Sequence, residues 1–256
     1  MEDWARQVSI KNPAEIALMR EAGRINAQAL AAVREAVRPG VTTADLNAAA
    51  EEILRKHGAY SPFYHYGNPP FPASICASVN EELVHGIPGK RKLKEGDIIS
   101  VDCGAVLEGY IGDAAFTKGV GEISPTARKL LEVTEKALYI AIQKMRVGNS
   151  TGDVSAAIQK FVEGHGFHVT REYTGHGVGR QMHEGPQVPN YGRAGTGIPL
   201  QAGMTIALEP MVLVGTHRTR LLPNRWAVVS ADGSLTAHFE HSVAVTEGEP
   251  LILTVL

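Results

Sequence analysis

VRPGVTTADLNAAAEEILRKHG, residues 37–58, and MRVGNSTGDVSAAIQKFVEGHG, residues 145–166, align without a gap. They share Arg, Gly, Thr, Asp, an Ala-Ala pair and a closing His-Gly. In each, a glycine and a Thr/Ser pair lead into a helix expected to begin near Asp45 or Asp153, where a short polar side chain satisfies free backbone N–H groups. Gly58 and Gly166 then stop the helices. Ahead of the copies, Pro13–Val37 and Pro125–Met145 carry apolar residues at helical spacing, and short β-rich runs follow. Helix, helix, strands, twice over, predicts an α+β fold of two similar halves, about 10–120 and 121–256, after a short N-terminal tail of residues 1–8. Their strands are expected to join in one curved antiparallel sheet with helices on its outer face. Two independent domains are the alternative, but no Pro/Ser-rich linker separates the copies, so one domain over 1–256 is expected.

Composition narrows the function. Apolar residues make up 44% and charged residues 20%, as in an ordinary globular protein. Lys plus Arg (25) nearly balances Asp plus Glu (27), which argues against nucleic-acid readout or an anionic membrane as partner. The one basic cluster, Lys90-Arg91-Lys92-Leu93-Lys94, reads as a solvated loop. The opening MEDWARQVSI has no apolar signal region, and no apolar run is long enough to span a bilayer. Cys76 and Cys103 are too few for a disulfide framework or a four-cysteine zinc site, so reduced thiols and a cytoplasmic setting are expected.

DIISVDCGAVLEGYIGDAAFTKG, from Asp97, reads as a β-hairpin turning at Glu108-Gly109. That register sets Asp113 opposite Gly104, and Asp102, two residues away, faces the same side. The two aspartates become diagonal neighbours, close enough to share an ion. Two like charges at about 4 Å repel by roughly 4 kcal/mol at an effective dielectric of about 20. Unless one aspartate points outward to solvent, which is the alternative for a lone hairpin, protons, basic partners or a metal must neutralise them, and the hairpin core holds no Lys or Arg. The neighbouring Cys103 is expected on the opposite sheet face as a small core residue, leaving Cys76 the more exposed thiol. Glu209, before Pro210, and Glu240, between Phe239 and His241, end or interrupt other apolar runs. With His176 they make five candidate ligands, mostly oxygen with one imidazole, a set suited to a pair of divalent ions such as Mn, Fe, Co or Zn.

His176 lies in GHGVGRQMHEGP, residues 175–186. The spacing is GxGxG rather than GxGxxG, no Gly-Lys-Ser/Thr follows, and His183-Glu184 runs into Gly-Pro rather than completing HExxH. These glycines are expected to hold backbone close to a ligating His176 and leave room for a ligand. His183 is either a second ligand or a nearby hydrogen-bond donor.

The five residues, flanked by VNEELVHGIP, GHGVGRQMHEGPQV and ALEPM, resemble the type I methionine aminopeptidases, from about Ser9 to the C-terminus. The resemblance implies the pita-bread fold, a pseudo-twofold pair of α+β halves. It implies that Asp102 and Asp113 hold one metal, that Asp113 and Glu240 bridge to a second, and that His176 and Glu209 complete the second site. His85 and His183 match substrate-contacting histidines. Phe71, Cys76, Met182 and Trp226 align with the methionine pocket, although Met182 stands where an aromatic residue is common and Tyr64–Phe71 carries extra prolines. The short span from His183 to Glu209 and the lack of a zinc-finger extension fit the minimal bacterial form.

The expected activity is removal of N-terminal methionine from nascent proteins and peptides by a metal-activated water. Glu209 is the expected general base and proton shuttle, with His183 and secondarily His85 hydrogen-bonding the scissile carbonyl or its tetrahedral successor. A free α-amine on a metal would make the enzyme an exopeptidase, and a pocket tolerant of sulfur would select methionine. Two divalent ions, Co, Mn, Fe or Zn, are the expected cofactors. A monomer is expected, with transient ribosome association left open. An X-Pro aminopeptidase or prolidase-like hydrolase shares the five ligands but normally carries a further N-terminal domain. Creatinase-like members lack the full ligand set, and a non-catalytic binding module of this fold would be expected to have lost ligands.

Overall fold

The computed structural model describes residues 7–256; residues 1–6 of the expected N-terminal tail lie outside the described residues. Each half opens with a helix pair, α1 (Pro13–Ala36) with α2 (Thr43–Lys56), and α3 (Pro125–Lys144) with α4 (Thr151–Gly164). Sequence sets their starts. Asn12 accepts the Ala14 and Glu15 N–H groups at 2.9 and 3.1 Å, and Pro13 follows where no N–H is needed. Ser124 caps α3 in the same way, accepting from Ala127 at 3.1 Å, ahead of Pro125.

The second helices begin two residues earlier than the sequence suggests. Thr42 and Ser150 are the caps, while Asp45 and Asp153 occupy the third helical position and accept the cap residue's own N–H at 2.9 and 2.8 Å. Gly58 and Gly166, at φ +68° and +84°, follow the helix ends in the left-handed conformation.

Between and after these helices run β1 (Ile75–Val79), β2 (Glu82–Val84), β3 (Ile98–Leu107), β4 (Tyr110–Gly119), β5 (His168–Val169), β6 (Thr174–Gly177) and β7 (Glu184–Pro189). The rest are β8 (Thr205–Leu208), β9 (Met211–Leu213), β10 (Thr219–Leu221), β11 (Val228–Ser230), β12 (Thr236–His238), β13 (Glu240–Ala244) and β14 (Leu251–Ile252). The main sheet runs β1-β3-β4-β13-β8-β6-β7, with β14 added beside β13, and is antiparallel throughout. Strands β1, β3 and β4 belong to the first half and the others to the second, so the halves join at β4–β13. That seam pairs only Glu240 with Ala115 and His241 with Ala114. Ser242 reinforces it: its hydroxyl accepts the Asp113 N–H at 3.0 Å and donates to the Asp113 carbonyl at 2.9 Å.

Alternation then divides the sheet into two faces. Ile99, Val101, Cys103 and Ala105 of β3, with Ala114 and Phe116 of β4, share a hydrophobic core with residues from all four helices. The opposite face carries Asp102 and Asp113. Helix α1 comes close against the sheet where Gly23 meets Gly112: a Cβ on Gly112 would sit 2.5 Å from the Gly23 Cα. Gly112→Ala is therefore expected to cost about 1–3 kcal/mol by forcing helix and strand apart. A urea midpoint equal to that of the native chain would contradict this close packing.

Candidate active site

The Glu108-Gly109 turn has φ values of +50° and +79°, and β3 pairs with β4 in the expected register, Gly104 with Asp113 and Asp102 with Ala115. Glu240 pairs with Ala115 on its other side. Asp102, Ala115 and Glu240 thus form one row across three strands, with Asp113 two residues along β4 on the same face. The Glu240 strand pairs next with β8, at whose end Glu209 stands, and β8 pairs with β6 through Ala207 and His176. Five side chains far apart in sequence so converge because the register of four neighbouring strand pairs leaves them no other place.

Asp113 and Glu240 are each 2% exposed in their side chains and Glu209 12%. Burial holds all four carboxyls well above the usual carboxylate range, reinforced for Asp102 by Asp113, for Asp113 by Glu209 and for Glu240 by Asp113. His176 is pushed down to about 3 by burial and then by His183. Its Nδ1 lies 2.8 Å from the Gly177 carbonyl. A carbonyl only accepts, so Nδ1 carries the proton and Nε2 presents a lone pair, 3.6 Å from Glu209 Oε1 and 3.9 Å from Asp113 Oδ2.

The donors fit a divalent cation centre. Among the described residues, buried side-chain atoms without a hydrogen-bond partner include Asp102 Oδ1, Asp113 Oδ1, Glu240 Oε1 and His238 Nε2, all in this one cluster. Such groups are costly unless paired or ligated. Two trios bring one donor atom each to within 4.8 Å of one another: Asp113, His176 and Glu240, and Asp102, His238 and Glu240. Oxygen with imidazole suits first-row divalent ions.

The raised carboxyls have a consequence for the metal-free protein. Their folded pKa values lie above the unfolded ones near 4, so the folded state retains protons that the unfolded chain has already lost. Below about pH 6.5 this is opposed by the buried histidines, which burial keeps neutral in the fold while the unfolded chain protonates them. Above that pH only the carboxyls count, so stability of metal-free protein should fall as pH rises further, and divalent metal should flatten that decline. A metal-free urea midpoint that does not fall between about pH 6.5 and 8.5 would be inconsistent with these burial costs.

The other expected site residues line the same cavity of about 440 Å³, which also holds all five candidate ligands: His85, His183, Phe71, Cys76, Met182 and Trp226. Phe63, Phe71, Ala73 and Cys76 form a small apolar cluster against which Ile87, Met182 and Trp226 pack. Phe71 meets Trp226 edge-on at 5.1 Å. Cys103 is buried on the helix side, and Cys76 is 5% exposed in the cavity wall, its thiol pushed up by burial. His85 has φ +59°, a conformation rare outside glycine, between Trp226 and Tyr173. Burial pushes it to about 4. His183 lies 4.4 Å from His176, ring to ring, and its Nδ1 is 2.8 Å from the Tyr66 hydroxyl.

Three features escaped the sequence reading. His238 adjoins Glu240 and Glu209; the two-residue spacing from Glu240 was the available signal. Phe63 and Tyr66 enter the cavity from the proline-rich segment, where no periodicity marks them. A buried Lys11–Glu184 ion pair anchors the loop before β7, with Glu184 Oε1 also accepting the Arg180 and Gln181 N–H groups at 2.8 and 3.1 Å. The loop's glycines make room for protein rather than ligand: a Cβ on Gly177 would overlap the Gly185 carbonyl, and one on Gly179 would overlap Lys11.

A buried carboxylate and imidazole cluster on the open face of an antiparallel sheet formed by two similar halves defines a metallohydrolase of the pita-bread type. Residues 17–247 match the metallopeptidase family M24. Methionine aminopeptidase of Clostridium acetobutylicum is 52% identical over 248 residues, 96% of this chain and 98% of that protein. Methionine aminopeptidase 1 of Bacillus subtilis is 50% identical over 95% of this chain and 98% of its own length. The crystal structure of methionine aminopeptidase from Thermotoga maritima superposes with a TM-score of 0.95 at 47% identity, covering 97% of this chain and 100% of that one. The chain belongs to metallopeptidase family M24, among its type I methionine aminopeptidases.

Proposed function

We infer that this chain is a metal-dependent methionyl aminopeptidase, a single catalytic unit that hydrolyses the bond after an N-terminal methionine. The observation that carries the reading is one cavity joining the four carboxylates and His176 to an apolar pocket of side-chain size. Asp102, Asp113 and Glu240 would hold one divalent ion, and Asp113, Glu240, His176 and Glu209 a second. Bound there, Co, Mn, Fe or Zn ions would supply the charge that ionises water near neutral pH and receives a free α-amine.

The chain's own residues supply the rest. Phe71, Cys76, Met182 and Trp226, with Phe63 and Ile87, enclose an unbranched thioether; aromatic edges and sulfur make favourable contacts with one another. Glu209, at a strand end and facing the cavity, takes the proton of the attacking water and passes it to the leaving amine. His183 donates a hydrogen bond to the scissile carbonyl as charge builds on its oxygen, and His85, which lines the same cavity, assists. If Tyr66 donates to His183 Nδ1, the His183 proton sits on Nε2, the nitrogen left to donate.

No helix among the described residues is long and apolar enough to cross a membrane. The setting that fits is the cytoplasm, with a monomer acting on nascent chains at or after the ribosome. Met-Ala-Ser should release free methionine, chelator should abolish that release, and Mn, Co or Fe should restore it. Faster cleavage of X-Pro substrates would replace the reading with a prolidase-like one, and chelator-resistant cleavage would end the metal mechanism.

A further inference from the structure

We propose that His238 is a sixth protein ligand of the metal centre, giving each ion its own imidazole. The proposal rests on the metal reading above and extends it. His238 is 2% exposed, at the end of β12, two residues before Glu240. Its Nε2 has no hydrogen-bond partner and points among the carboxylates, 3.5 Å from Glu209 Oε2 and 3.6 Å from Glu240 Oε2. Those separations are longer than a formed N–H···O bond of about 2.7–3.2 Å. The separation from Glu240, with Asp102 in the same trio, is close to the span of roughly 3–3.5 Å between two donors that share one ion through bonds of about 2.1 Å.

The comparison with His176 is internal to the molecule. His176 Nε2 stands 3.6 Å from Glu209 Oε1, and His238 Nε2 stands 3.5 Å from Glu209 Oε2. The two oxygens of one carboxylate therefore each face an imidazole. Each imidazole also belongs to a trio of donors within 4.8 Å, His176 with Asp113 and His238 with Asp102, and the trios share Glu240. The backbone fixes His238 in place: its N–H donates to Thr117 Oγ1 at 2.9 Å, and that hydroxyl donates to its carbonyl at 2.8 Å. The sequence-based ligand set leaves the Asp102 half with carboxylates alone. A nitrogen from His238 makes that half a mixed N/O site, which favours Fe, Co or Zn over Mg or Ca.

The competing role is a hydrogen bond from His238 to Glu209 or Glu240 with no bond to metal. Cobalt loading distinguishes the two without any assay of turnover. Native protein carrying two equivalents of Co(II) should show imidazole scattering from two histidines by X-ray absorption. His238→Gln, which keeps an amide donor, should reduce that count to one and weaken one of two calorimetric binding steps by at least about 10-fold. His238→Ala should behave alike, because a hydrogen bond retained by glutamine is not what is lost. A native imidazole count of one, or native Co(II) affinities in His238→Gln, would overturn the proposal while leaving the five-ligand centre intact. Failure of the native protein to take up cobalt would instead remove the metal reading itself, and His238's role with it.

Discussion

Glu209→Gln folds like the native chain and cleaves a Met-initiated tripeptide at least about 10²–10⁴-fold more slowly, the range that loss of a positioned general base produces. The amide has the volume of the carboxylate, so the strand end and cavity wall should keep their packing. What it loses is the ability to accept and pass on a proton, together with the charge of one proposed metal ligand. Burial holds the native Glu209 carboxyl well above its ordinary range. The amide carries no such penalty, and the metal-free variant should be at least as stable as metal-free native protein at neutral pH. Turnover with saturating metal, paired with thermal unfolding, checks both halves of the statement. Near-native turnover would remove Glu209 from the proton path.

Asp113→Asn is expected to have the larger effect on metal. Asp113 is 2% exposed, lies on the central strand of the carboxylate row and is, with Glu240, one of two residues proposed to touch both ions. Its replacement should eliminate tight binding of both divalent ions and take activity below detection. Stability should move the other way: one of several like charges in a buried cluster is gone, and the charged form of Asp113 is disfavoured by burial and then by Glu209. Calorimetric titration with Mn(II) and a metal-free thermal scan make the test. Unchanged metal binding would mean that Asp113 is a buried structural carboxyl and no ligand.

The parts of this site that could be read from sequence are those governed by local rules. The hairpin is the clearest case. A turn at Glu108-Gly109 fixes the register, the register fixes which residues share a face, and Asp102 and Asp113 follow. The repeated helix pairs were legible because caps and terminal glycines act within a few residues, and the error was two positions at each second helix. The joining of the halves was expected in outline, but the seam at Glu240–Ala115 was not, because antiparallel pairing across 125 positions leaves no local mark. His238 was missed for a related reason. Its spacing from Glu240 places it on the same face, yet only the approach of Glu209 from β8 gives that face a meaning. The glycines of residues 175–179 were legible as close-approach positions, but what approaches is the Gly185 backbone and the Lys11 side chain, both supplied by tertiary structure.

The central claim is that the converging acidic and imidazole groups work only as a metal centre. Elemental analysis of purified protein, with turnover of Met-Ala-Ser followed as divalent metal is titrated back into stripped samples, tests it most directly. Activity rising in step with metal content, from none in stripped protein to a maximum at or before two ions per chain, is the predicted result. Full turnover in protein shown to hold no divalent metal would contradict it.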